Sequence, residues 1–102
     1  MEEKFIRILF DLKVERLNNQ EKPGYRLYIN DELFTERNWR WPQTCRVEEL
    51  LQIKAVPGKY KVRIEKCHPT KARFNISNMR VDLGDARIIE DNTIEILKNE
   101  NI

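Results

Sequence analysis

The sequence has little of what most enzyme chemistry requires. One histidine, His68, stands among 102 residues, and there is no Gly-x-Ser-x-Gly, no His-Glu-x-x-His and no glycine-rich phosphate loop. Cys67 and His68 are neighbours in the chain, which is the wrong relation for a catalytic dyad. Consecutive side chains of an extended segment point to opposite sides. His68 therefore reads as a polar loop residue, and catalysis is not expected. Two cysteines and that one histidine make a poor zinc site, and no cofactor is expected. Three glycines and four prolines, beside 40% apolar side chains, argue against a disordered chain. No apolar run approaches the ~20 residues that span a bilayer. Met1-Glu2-Glu3-Lys4 also lacks the charged-then-apolar pattern of a signal peptide. The expectation is a soluble, cytoplasmic protein with no membrane partner.

What is present reads as strands. A chain of 102 residues makes one domain, here residues 1–102 with a polar tail over 98–102. At this length roughly two thirds of the unfolded surface can be buried without staples. In Glu3–Leu17 the even positions Ile6, Ile8, Phe10, Leu12 and Val14 are apolar, and most odd positions are charged. That is the period of a half-buried strand. Residues 18–24 form a loop by composition. Tyr25, Leu27 and Ile29 then alternate with polar neighbours up to a turn at Asn30-Asp31, and a short strand over Glu32–Arg37 follows. Phe74 and Ile76 are out of phase with Met79, Val81 and Leu83, which predicts a bulge near Asn78. Gly84-Asp85 is a turn, Ala86–Ile89 a short strand, and Glu90-Asp91-Asn92 a further turn before a last strand with Ile94 and Ile96. Eight or nine short strands without helical patterns predict an all-β, antiparallel sandwich of jelly-roll type. Its predicted core holds Ile8, Phe10, Leu12, Leu27, Ile29, Ile53, Val62, Ile64, Phe74, Ile76, Val81 and Ile96.

Pro57-Gly58 fits the centre of a type II turn, because proline presets φ and glycine accepts a positive one. A hairpin about that turn sets Ala55 opposite Tyr60, Ile53 opposite Val62 and Leu51 opposite Ile64, with Lys54 facing Lys61. In that register Cys67 lies three residues along from the partner position of Cys45, a separation of ~10 Å. A bridge needs less than ~7 Å, so two free thiols are expected, as in a reducing compartment.

Charge is distributed unevenly. Arg37–Arg73 carries ten Lys or Arg against three acids, while the remainder carries nine against fourteen. The basic middle would be a dipolar docking face or simply the solvated outside of strands. Lys54, Lys59, Lys61 and Arg63 fall on the outer face of the predicted hairpin, suited to an acidic partner such as the Glu90-Asp91 turn of a second copy. Acidic turns at Asp31-Glu32, Asp82/Asp85 and Glu90-Asp91 would gather oxygen ligands for calcium only if the loops converge. Acidic turn residues are expected in any case.

The second candidate surface is Arg37-Asn38-Trp39-Arg40-Trp41-Pro42. Extended, it puts Trp39 and Trp41 on one face. They either cap the core or form a binding surface with Arg37 and Arg40, for protein, for a glycan, or for unpaired bases of single-stranded nucleic acid.

Residues 28–39 (Tyr-Ile-Asn-Asp-Glu-Leu-Phe-Thr-Glu-Arg-Asn-Trp), followed by Pro57-Gly58-Lys59-Tyr60-Lys61-Val62-Arg63-Ile64-Glu65, resemble small β-sandwich accessory proteins of tailed bacteriophages. The order of turns, ending in Val81-Asp82-Leu83-Gly84, is also similar to carbohydrate-binding-module jelly rolls, from which the inserted Leu83 departs. The resemblance implies a non-catalytic, virion-associated interaction or assembly module made in the host cytoplasm, which binds protein or copies of itself. The alternative is a glycan or single-stranded nucleic acid module using the tryptophan loop.

Overall fold

Alternation in the first strand sets the architecture. In the computed structural model, which describes residues 2–18, 21–90 and 92–98, β1 (Lys4–Glu15) buries Ile6, Ile8, Phe10, Leu12 and Val14 completely. Each such burial stabilises by about 1.5–3 kcal/mol. Seven strands follow: β2 (Gly24–Ile29), β3 (Glu32–Asn38), β4 (Arg46–Ala55), β5 (Gly58–Lys66), β6 (Arg73–Leu83), β7 (Ala86–Ile89) and β8 (Thr93–Ile96). They form two antiparallel sheets, β4-β1-β6 and β3-β2-β5-β8-β7. The protein is an antiparallel β-sandwich. Only β2–β3 and β7–β8 connect neighbours within a sheet; the other links between successive strands cross from one sheet to the other. Parts of two predicted segments, Asn19-Gln20 of the first loop and Asp91 of the last turn, lie outside the described residues, as does the tail after Lys98.

Turn chemistry explains the local joints. Asn30 and Asp31 have φ of 50° and 67°, the paired positive values of a type I′ turn, whose twist suits a two-residue hairpin. The predicted bulge is present. Leu9 pairs with Arg80 and Asp11 with Ser77, so Asn78 and Met79 together oppose Phe10, and Asn78 takes φ of 51°.

The Pro57-Gly58 hairpin is the main correction. β4 and β5 do not pair at all: β4 pairs with β1 in the opposite sheet, while β5 pairs with β2 and β8. Val56-Pro57 is an arch between sheets. Sheets pack about 10 Å apart, and the three Cα steps from Ala55 to Gly58 reach about 11 Å when extended. The connection is just long enough, and the Tyr60 hydroxyl fastens it by donating to the Val56 carbonyl at 2.6 Å. Ile53 and Val62 are both buried, but on facing sheets rather than side by side. The Lys54–Lys61 opposition disappears with the hairpin, because Lys54 pairs with Phe5 and Lys61 with Thr93.

Of the predicted core, Ile29, Ile64, Phe74, Ile76 and Val81 are only half-buried against the centre. The fully enclosed set also includes Ile6, Val14, Tyr25, Trp39, Leu51, Ala72 and Ile94.

Gly84 turns the chain from β6 to β7 directly over the start of β1. A Cβ there would lie 2.5 Å from Ile6 Cδ1 and 2.7 Å from the Phe5 carbonyl oxygen, at φ of +107°. Gly84→Ala should destabilise by about 2–4 kcal/mol, combining backbone strain and overpacking. Gly58→Ala, whose Cβ would meet nothing nearer than the Tyr60 ring at 3.8 Å, should cost less. Urea denaturation of the two variants checks the order.

Candidate functional site

The eight residues singled out from the sequence do not form one site. Arg37 leaves the tryptophan loop and turns inward. Its Nη1 donates to Glu49 of β4, whose other carboxylate oxygen accepts from the Tyr25 hydroxyl at 3.4 Å. This joins β2 and β3 of one sheet to β4 of the other. Glu49 and Tyr25 are both buried. Burial pushes the Glu49 carboxyl above its usual range, and Arg37 and Tyr25 only partly offset it. Burial and the Glu49 charge likewise push the Tyr25 phenol up.

The two tryptophans share a contact but not an environment. Trp39 follows β3, is fully buried, and its amide donates to the Pro23 carbonyl at 2.9 Å. Its indole Nε1 has no hydrogen-bond partner among the described residues. Trp41 stands edge-on to it at 5.4 Å and 70°, and is 43% exposed. Trp39 is thus the core cap and Trp41 the exposed ring. Trp41 and Arg40 line a cleft of 390 Å³ with Leu17, Glu21, Lys22 and Gln43. A second cleft shares Leu17 and Glu21 and adds Arg16, Thr70 and Lys71. Four cations and one carboxylate border this end, and Glu21 is already held by the Thr70 hydroxyl. Lys22, Arg16 and Lys71 carry no signal in sequence, because two loops distant in the chain, β1–β2 and β5–β6, bring them to the end where Arg40 and Trp41 stand.

The predicted basic face is dispersed. Lys54 lies on β4, while Lys59, Lys61 and Arg63 lie on β5 in the other sheet. Arg63 is also neutralised locally. It donates to Glu65 at 2.7 Å and Asp31 at 3.3 Å, and its guanidinium sits 4.4 Å above the Tyr28 ring. Lys59 pairs across the ladder with Glu95.

A surface that sequence reasoning passed over lies on the outside of the three-stranded sheet. Leu9 and Leu50 are direct cross-strand partners, Phe5 lies two places along the same face of β1, and Leu83 pairs with the intervening Arg7. Phe5 and Leu83 are each 46% exposed and Leu50 38%. The available signal was the broken polar parity of Phe5 and Leu9. Beside this patch, Asp11 is buried under Arg80 at 3.4 Å and Arg46 at 3.8 Å, and Arg80 reaches on to Glu48. That chain of charges ties all three strands together.

Among the described residues no three His, Cys, Asp or Glu side chains gather as metal ligands. Asp82 faces Arg7, Asp85 faces Lys4 and Asp31 faces Arg63. Both cysteines are free, although the register used to separate them does not exist. The Cys67 thiol donates to Glu36 at 3.3 Å, and partial burial with that carboxylate pushes it up. His68 is exposed. Comparison with protein-family models, with curated proteins and with solved structures finds no match.

The Glu49 clamp has a pH signature. A raised native pKa means that the folded chain holds this proton to higher pH than the unfolded chain. Its contribution to stability is therefore lost as pH climbs from the ordinary carboxylate range through the native pKa. Glu49→Gln removes the titration; its amide oxygen can still accept from Arg37, while its NH2 would donate to the Tyr25 oxygen in place of accepting from it. Across about pH 4 to 8, wild type should lose stability relative to Glu49→Gln, read from paired denaturation curves. A constant difference would overturn the assignment.

Proposed function

We propose that this protein is a non-catalytic interaction module that assembles with copies of itself through the three-stranded sheet. The observation that carries the reading is the apolar outer face formed by Phe5, Leu9, Leu50 and Leu83. One-sided antiparallel sheets put polar side chains toward water, and clustered exposed apolar residues mark contact surfaces. The state of the nucleophile candidates agrees with a non-catalytic role. A thiol pushed up by burial and a carboxylate holds less of the reactive thiolate. The resemblance to small phage sandwich proteins supports a place in an assembled particle, where subunits meet through such faces. Leu50→Ser should lower the molar mass measured by light scattering at high protein concentration while leaving the urea midpoint within about 0.5 kcal/mol equivalent. A wild-type chain that stays monomeric across the accessible concentration range would sink the reading.

The cationic loop end favours a second reading. Trp41 beside Arg40, Lys22, Arg16 and Lys71 supplies one stacking ring and several positive charges, the pairing that captures single-stranded nucleic acid. Oligonucleotide binding in a fluorescence titration should weaken steeply with salt and fall about tenfold or more in Trp41→Ala. Salt-independent or absent binding rejects this reading. Glycan binding would instead survive added salt.

A further inference from the structure

A sandwich with two open sheets has four edge strands, and three of them here carry features that block pairing. β7 is four residues long. β3 is broken by a register shift between Leu27 and Tyr28 of its partner, which leaves Phe34 unmatched. β6 has two shifts, with Asn78 at positive φ and Asp82 unmatched. Short edges and bulges of this kind are how sheets avoid joining edge to edge. β4 has neither. It runs for ten residues in unbroken register with β1, contains no proline, and has no strand paired to its other side among the described residues. Its inward charge, Glu49, is committed to Arg37 and Tyr25.

We infer that the free edge of β4 pairs antiparallel with β4 of a second copy of this chain, about a two-fold axis at Leu51. This rests on the assembly reading above and names its partner and register. Antiparallel self-pairing about Leu51 sets Glu48 opposite Lys54 of the second copy, and Lys54 opposite its Glu48. Leu50 then lies opposite Gln52. Pairing about Leu50 would instead oppose Arg46 to Lys54, and pairing about Glu49 would oppose two buried glutamates, so charge selects the register. Lys54 is exposed and makes no ion pair among the described residues, so a partner carboxylate would be its first. Two three-stranded sheets become one of six strands, and Leu9–Leu50 of each copy lie on the same outer face.

The test needs no ligand and uses the full chain: sedimentation equilibrium and light scattering over a concentration series. The variants are Lys54→Glu, Glu48→Lys and the double reversal. Lys54→Glu breaks no ion pair of the monomer, whereas Glu48→Lys also releases Arg80; urea curves at low concentration show that each remains folded. Each single reversal should weaken association about tenfold or more, because two attractive pairs become two repulsive ones. The double reversal should restore it to within about threefold. Association that is unchanged in Lys54→Glu but lost in Leu50→Ser overturns the edge and keeps the face. Singles that weaken without rescue in the double overturn the register. A monomeric wild type overturns both this inference and the assembly reading.

Discussion

Everything else in the structure leans on β1. Its five enclosed side chains, Ile6 through Val14 at every second position, face the residues of the opposite sheet that are themselves enclosed, among them Leu27, Val62, Ile94 and Ile96. A strand with this much apolar surface on one face needs a second sheet to cover it. It also needs both of its hydrogen-bonding edges filled, since unpaired backbone groups in a buried strand are costly. β4 and β6 fill them. That places β1 at the centre of its sheet and makes β4 and β6 the edges. The open, regular side of β4 is a direct consequence of pairing β1 on both sides.

Charge follows the same logic. Strands from the basic middle of the chain are dealt to different sheets, so the excess of Lys and Arg over Arg37–Arg73 never collects on one face. Much of it is consumed locally: Arg63 by Glu65 and Asp31, Arg46 by Asp11, Arg37 by Glu49. Among the described residues, what makes no ion pair includes Arg40 and Lys71 at the end carrying Trp41, Lys54 on the β4 edge, and Lys59 and Lys61 on β5. Exposed ion pairs contribute little each. The buried Asp11 and Glu49 groups differ, because each would leave a desolvated charge behind if its partners were lost. They bind strands together, Asp11 across one sheet and Glu49 between the two.

Trp39 and Trp41 divide the two roles weighed for them. Both stand two residues apart in an irregular segment, and parity alone would give them one fate. The chain leaves β3 at Asn38, so strand parity no longer applies beyond it. The Pro23 carbonyl then holds Trp39 at the core. Trp41 is left to rest on its edge.

The arch at Val56-Pro57 marks the boundary between what could be read and what could not. Alternation is a property of one strand's own geometry. The inward positions of β1, β4 and β5, the turn at Asn30-Asp31 and the bulge at Asn78 were therefore all legible from residue types and their phases. Which strand lies beside which is a different matter. Two apolar faces satisfy the same pattern whether they meet as neighbours in one ladder or across the core between two sheets. Ile53 and Val62 would be buried either way. The choice was made by β1, some fifty residues earlier in the chain, whose free edge took β4 and left β5 to β2 and β8. Within the strands, the sequence by itself determined which face turns away from water, because that depends on local period; outside them, as at Trp39, it did not. Only the tertiary structure decided their partners, the dispersal of the basic face and the open β4 edge, because each depends on pairings between residues distant in the chain.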